Sequence, residues 1–130
     1  MTNEQLEFNL NKGRTFGYNT ESNADLVGWM ILRKRFPIPR FFELYETFDK
    51  PDMYDRHTYQ EQVKIRDEPY LIVIEKVTRQ VFESDKRLGP EDYLLVESFT
   101  FSTLEEVSRF FKEKGYELSE IKWPADLEFL

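Results

Sequence analysis

Tyr93-Leu94-Leu95-Val96-Glu97-Ser98-Phe99-Thr100-Phe101-Ser102-Thr103-Leu104-Glu105-Glu106-Val107-Ser108-Arg109-Phe110-Phe111-Lys112-Glu113-Lys114-Gly115 joins two unlike patterns end to end. Tyr93–Phe101 is rich in aromatic and aliphatic residues and partly alternates, which is the pattern of a strand. After Phe101 the period changes. Leu104, Val107, Phe110 and Phe111 recur at helical spacing and form one apolar stripe. Ser102 with Glu105, or Thr103 with Glu106, supplies a capping box, in which a hydroxyl and a carboxylate satisfy amides of the first turn reciprocally. Glu105 and Glu106 in the first turn and Lys112 and Lys114 in the last suit the helix dipole. Gly115 is the expected left-handed terminator. The stretch therefore predicts a strand followed by a helix over about 103–114, with Tyr116–Ile121 returning as a further strand stopped by Trp123-Pro124.

Working upstream, Tyr70-Leu71-Ile72-Val73-Ile74 is a continuous apolar run of the kind found in strands covered on both faces. Alternation at Val77 and Val81 extends it through Phe82, and the polar loop Glu83–Asp92 would let Tyr70–Phe82 and Tyr93–Phe101 pair as a long hairpin. Gln62–Arg66 alternates polar and apolar residues and reads as another strand. Leu6–Leu10 alternates likewise and is followed by the turn Asn11-Lys12-Gly13. Asn19–Asn23 reads as a polar loop offering Ser22 or Asn23 as a helix cap. Leu26–Leu32 fits either a buried strand or part of a second helix over about 23–35, because a run this short has no decisive period. Pro37 and Pro39 favour an extended segment at Phe36–Pro39. The expectation is a single α+β domain spanning 1–130, with a mainly antiparallel sheet of about five strands and the 103–114 helix on one face.

Composition narrows the function classes. Aromatic residues make up 16% of the chain, which excludes a disordered tail because such a chain has ample surface to bury. The absence of cysteine removes disulfides, thiolate nucleophiles and cysteine metal sites together, and suits a reducing cytoplasm. Met1–Leu6 has neither the basic nor the apolar region of a signal peptide, and no apolar run is long enough to span a bilayer. A cytoplasmic protein without membrane contact is the expectation. A single histidine and the lack of cysteine leave no catalytic triad of the ordinary kinds, and no glycine-rich phosphate loop occurs. No cofactor is expected.

Charge is unevenly spread. The formal net charge is −7, yet Arg33, Lys34, Arg35 and Arg40 lie within eight residues and carry no acid among them. Interleaved with Phe36 and followed by Phe41, Phe42 and Tyr45, they have the ingredients of a phosphate or single-strand contact. The net −9 of residues 41–130 would oppose a polyanion, so pairing with carboxylates is the favoured reading of these cations. Asp49–His57 gathers carboxylates and the histidine, with Asp52, Asp55 and His57 as metal-ligand candidates, although the spacing matches no calcium loop. Pro51-Asp52 followed by Gln62-Val63-Lys64 resembles the PD…(D/E/Q)xK pattern of metal-dependent nucleases. That resemblance implies Mg²⁺ held by the aspartate and the Gln position, with the lysine orienting water. The chain departs from the pattern in its Gln and in having no helix with a further acidic ligand before Pro51.

Two functional readings follow. The first is a small acidic interaction protein that inhibits or regulates a protein partner with a basic surface. Its candidate contact residues are Glu83, Asp85, Glu91, Asp92, Glu105, Glu106, Glu113, Glu117 and Glu120, since opposite charge accelerates and orients association. In length, charge and lack of catalytic motifs the chain resembles toxin-immunity proteins and phage-encoded inhibitors, a resemblance of composition that rests on no motif. The alternative is a phosphate- or nucleic-acid-acting domain using Arg33, Lys34, Arg35 and Arg40, with a metal at Asp52 and Asp55.

Overall fold

The apolar run at Tyr70–Ile74 lies inside a four-stranded antiparallel sheet, paired on both sides. The structure is a computed structural model and describes residues 2–39, 42, 53–84, 88–116 and 121, with residues 53–58 described by their backbone alone. The described elements, in chain order, are α1 (Asn3–Asn11), β1 (Phe16–Ser22), β2 (Leu26–Lys34), α2 (Met53–Asp67), β3 (Tyr70–Thr78), α3 (Arg79–Glu83), β4 (Leu95–Phe101) and α4 (Leu104–Lys114). The strands form a meander in the order β1-β2-β3-β4. This is an α+β layout.

Strand period 2 sorts the side chains into two apolar layers. Phe16, Met30, Leu32, Tyr70, Ile72 and Ile74 face the layer completed by Leu6 and Leu10 of α1, by Val107, Phe110 and Phe111 of α4, and by Ile121. Val27, Trp29 and Val77 face the other side, where Val81, Phe82, Leu88 and Tyr93 from the α3 region cover them. β2 is central enough that Val27, Gly28, Trp29 and Met30 are all buried in succession.

Several sequence expectations are corrected. The second helix at about 23–35 is the strand β2, because the run pairs with β1 on one side and β3 on the other. The sheet has four described strands, not five, and residues 117–120 of the expected fifth lie outside the described residues. Leu6–Leu10 belongs to a helix. Thr2 and Gln5 form a capping box, and Leu6 and Leu10 at i, i+4 turn inward while Phe8 is 59% exposed. Gln62–Arg66 also lies in a helix, since its alternation sits within a longer tract of good helix formers that ends before Pro69. β3 stops at Thr78, whose hydroxyl accepts from Val81 N–H (3.2 Å) and caps α3. Part of the presumed loop at Asn19–Asn23 is the end of β1, while the Asn23 side chain accepts from the amides of Asp25 and Leu26 to close the β1–β2 hairpin.

β1 carries a bulge between Tyr18 and Glu21, and this explains Gly28. A Cβ at Gly28 would stand 2.6 Å from Thr20 Oγ1. Glu21 and Lys76, the register partners of Gly28 on its two sides, meet across the sheet, with Nζ and Oε2 3.3 Å apart. That carboxylate oxygen is shielded from solvent and lies at ion-pair distance without hydrogen-bond alignment. Gly28→Ala is expected to cost about 1–2 kcal/mol by overpacking, and Thr20→Ala in the same chain should restore most of it. Urea denaturation of the two single variants and the double variant measures the coupling; additive losses would contradict it.

Burial holds the Tyr70, Tyr93 and Tyr116 hydroxyls above the ordinary phenol range. Glu7 adds to the effect at Tyr70, Glu75 and Asp92 at Tyr93, and Tyr18, Glu97 and Glu21 at Tyr116. With pKa values raised in the folded state, the unfolded chain ionises first. The contribution of these groups is therefore complete below about pH 10 and is lost as pH rises through the folded values. Urea midpoints measured at increasing pH above about 9 should fall more steeply for the native chain than for Tyr116→Phe. Equal slopes would remove Tyr116 from this account.

Candidate acidic cleft at the edge of the sheet

α4 is fixed at both ends by its own sequence. Thr103 Oγ1 accepts from Glu106 N–H (3.2 Å), and Glu106 Oε2 accepts from Ser102 N–H (3.1 Å). The hydroxyl half of the expected capping box is thus Thr103, while the carboxylate reaches one residue further back. At the other end Gly115 has φ +77°, its N–H donates to Lys112 O, and Tyr116 N–H donates to Phe111 O (2.8 Å).

The two phenylalanines of α4 point to different strands. Phe110 packs against Phe99 (ring centroids 4.9 Å apart) and Phe101 (5.3 Å), both in β4. Phe111 meets Tyr116, which in turn meets Tyr18 of β1. The Phe110 side of the helix consequently overlies the β4 edge. Glu106 and Glu113, at i−4 and i+3 from Phe110, share that side. With Phe101 and Arg109 they line a shallow cleft of about 200 Å³.

The cleft combines an aromatic floor, Phe101 and Phe110, with carboxylates at two of its borders. Glu106 is oriented by its bond to Ser102, and Glu113 is exposed. Arg109 Nη2 lies 3.9 Å from Glu105 Oε1, an exposed i, i+4 pair that restrains it weakly. Lys114 lies over the Phe99 and Phe110 rings, 6.0 and 5.8 Å from their centroids. Carboxylates beside ring faces accommodate an ammonium or guanidinium group, and Lys114 and Arg109 already bring two such charges to this side of α4.

The remaining acidic candidates divide by face. Glu105, Glu106 and Glu113 lie on α4, over the layer containing Phe110 and Phe111. Glu83, Glu91 and Asp92 lie in the α3 region that covers the opposite layer around Trp29. There Asp92 Oδ2 accepts from Gly89 N–H (2.8 Å). Asp85, Glu117 and Glu120 lie outside the described residues.

Two of the four basic candidates, Lys34 and Arg35, bond within the fold. Lys34 Nζ donates to Asn11 Oδ1 (2.7 Å) and lies over the rings of Phe36 and Tyr70. Arg35 N–H donates to Pro69 O (2.7 Å), and Arg35 Nη2 donates to Glu68 O (2.9 Å). Burial lowers the Arg35 pKa, Arg33 lowers it further, and Glu68 opposes both. Lys34 and Arg35 therefore bond to amide and carbonyl oxygens rather than to the carboxylates the sequence suggested. Arg33 is exposed, and Arg40 lies outside the described residues.

Asp52 is likewise outside the described residues, and Asp55 and His57 are described only as α2 backbone. Of the nuclease-like pattern, Gln62 accepts from Ile38 N–H (2.7 Å) through Oε1, within a helix. Among the described residues no group of acidic, histidine or cysteine side chains has the arrangement of a metal site, and no helix is long and apolar enough to cross a membrane. The acidic candidates could be counted in the sequence, but those described do not share one face. The aromatic floor of the cleft was missed, because Phe101 and Phe110 read simply as core in the sequence.

No protein-family model matches the chain, and no curated protein or solved structure shows significant similarity to it.

Proposed function

We propose that this protein is a cytoplasmic binding module that inhibits or regulates a protein partner by covering a basic patch on it. The observation that carries the reading is the α4 cleft, where Phe101 and Phe110 form an apolar floor bordered by Glu106 and Glu113. A lysine or arginine side chain entering it would lay its aliphatic stem on the rings and bring its charge to the carboxylates. The net charge of −7 would steer such a partner in, and the lack of cysteine fits a reducing compartment. Nucleic acid is a poorer fit, since Lys34 and Arg35 already bond within the fold.

Affinity purification from native lysate at low and high salt, repeated with Glu106→Gln/Glu113→Gln, tests this reading. A basic partner held in stoichiometric amount at low salt should be released by salt. The double variant should weaken it about tenfold, or ~1.4 kcal/mol. Glu83→Gln/Glu91→Gln, on the opposite face, serves as the control and should change the affinity less than about threefold. A partner indifferent to salt, or equally sensitive to both variants, would contradict the assignment.

A further inference from the structure

α4 already carries a cation at the border of the cleft. Arg109 lines it together with Phe101, Glu106, Phe110 and Glu113. Helical spacing stands Arg109 between two sets of carboxylates. Glu106 at i−3 and Glu113 at i+4 lie on its cleft side, while Glu105 at i−4 lies on the side away from the cleft. Arg109 Nη2 is 3.9 Å from Glu105 Oε1, so the guanidinium is drawn outward, at ion-pair rather than hydrogen-bond distance. Lys114 lies over the Phe99 and Phe110 rings but does not line the cleft.

The outward position of Arg109 is only weakly held. Its side chain and that of Glu105 are 66% and 85% exposed, and pairs so exposed contribute little. On a helix, a carboxylate four residues before a basic residue is a better partner than one four residues after it. That order favours Glu105 over Glu113 by a small margin. Glu106 Oε2 takes the Ser102 N–H, which leaves Oε1 for another donor. An arginine side chain is long enough to serve either set of carboxylates, and exposed side chains change rotamer within nanoseconds. Turned inward, Arg109 would do what an incoming basic side chain does, placing a guanidinium beside Glu106 and Glu113.

We propose that Arg109 is a built-in competitor for the cleft, and that Glu105 is the positioning residue that holds it clear. This rests on the reading of the acidic cleft given above and adds the regulation of that site. With Arg109 at Glu105 the cleft accepts a basic side chain; with Arg109 on Glu106 and Glu113 the chain's own charge closes it. Affinity is then lower than the two carboxylates alone would give, and the balance between Glu105 and the cleft sets it.

The test titrates an end-blocked Gly-Arg-Gly tripeptide into the full isotope-labelled chain and follows binding by NMR. Arg109→Gln should bind the tripeptide about threefold more tightly than the native chain. Lys112→Gln removes the same charge from an exposed position of α4 that does not line the cleft, and should change affinity less than about 1.5-fold. Glu105→Gln should weaken binding about threefold in the native background and have almost no effect once Arg109→Gln is present. Without peptide, Glu105→Gln should shift the side-chain carboxyl carbons of Glu106 and Glu113 as the guanidinium moves in. Equal gains from Arg109→Gln and Lys112→Gln, equal losses from Glu105→Gln in both backgrounds, or unmoved Glu106 and Glu113 carboxyls would overturn the competitor. The cleft reading would still stand if Glu106→Gln/Glu113→Gln weakened the peptide. No binding by any of these chains, or equal binding by the native chain and Glu106→Gln/Glu113→Gln, would overturn the cleft reading and this proposal with it.

Discussion

Trp29→Ala is expected to lower the stability of the domain by about 3–5 kcal/mol, the usual loss for removing a fully buried large aromatic side chain. Trp29 is 2% exposed and clusters with Val27 and Val77 on the face that α3 covers. The cover includes Val81, Phe82, Leu88 and Tyr93, so the segment after β3 docks on a small layer in which this indole is the largest buried side chain. Domains of this kind are stable by about 5–15 kcal/mol in total, and the substitution removes a large part of that. Urea denaturation gives the loss directly. Amide exchange should rise first across α3 and the Pro90–Asp92 turn, while α4 and β4 keep their protection. A loss under about 1 kcal/mol would show that the second apolar layer is not a core.

Phe110→Ala should follow closely, at about 3–4 kcal/mol, because its ring joins Phe99 and Phe101 to the helix. This variant alone cannot separate folding from binding, since Phe110 is also the floor of the cleft. Phe110→Leu separates them. It keeps most of the apolar volume and should cost at most about 1.5 kcal/mol in urea. It removes the ring face, and capture of a basic side chain should weaken by about threefold from the lost cation–π attraction. An unchanged affinity in Phe110→Leu would reduce the floor to a generic apolar surface.

The strand-to-helix unit at the C-terminal side was legible because its signals are local and agree with one another. Thr103, Glu106 and Gly115 mark the ends of α4, and Leu104, Val107, Phe110 and Phe111 mark its inner side. The N-terminal side was harder for identifiable reasons. Leu6, Phe8 and Leu10 alternate like a strand, yet the Thr2–Gln5 capping box and the i, i+4 pair Leu6 and Leu10 made the helix, leaving Phe8 outside. β1 has no apolar residue after Tyr18, and its bulge between Tyr18 and Glu21 lies opposite Gly28, where a Cβ would meet Thr20. Leu26–Leu32 could be resolved only by its partners on both sides.

The candidate site was half legible. Acidic residues can be counted in a sequence, but the face on which each one stands depends on packing. Glu91 and Glu106 looked equivalent until the two apolar layers placed them on opposite sides of the sheet. The cleft exists because Phe110 turns to β4 while Phe111 turns toward β1, a division invisible in a pair of adjacent phenylalanines. Arg33–Arg40 was prominent for the opposite reason. Its charge density drew attention, while the oxygens that bind Lys34 and Arg35 come from Asn11 and Glu68, distant in sequence.

The central claim is that Glu106 and Glu113 hold a basic side chain of a protein partner. It is tested most directly by titrating the purified partner against the native chain and against Glu106→Gln/Glu113→Gln over a range of salt concentrations. The account predicts that affinity falls steeply with salt for the native chain and less steeply for the double variant, the curves converging at high salt as the carboxylates become screened. Identical affinities and identical salt slopes for the two proteins would contradict it.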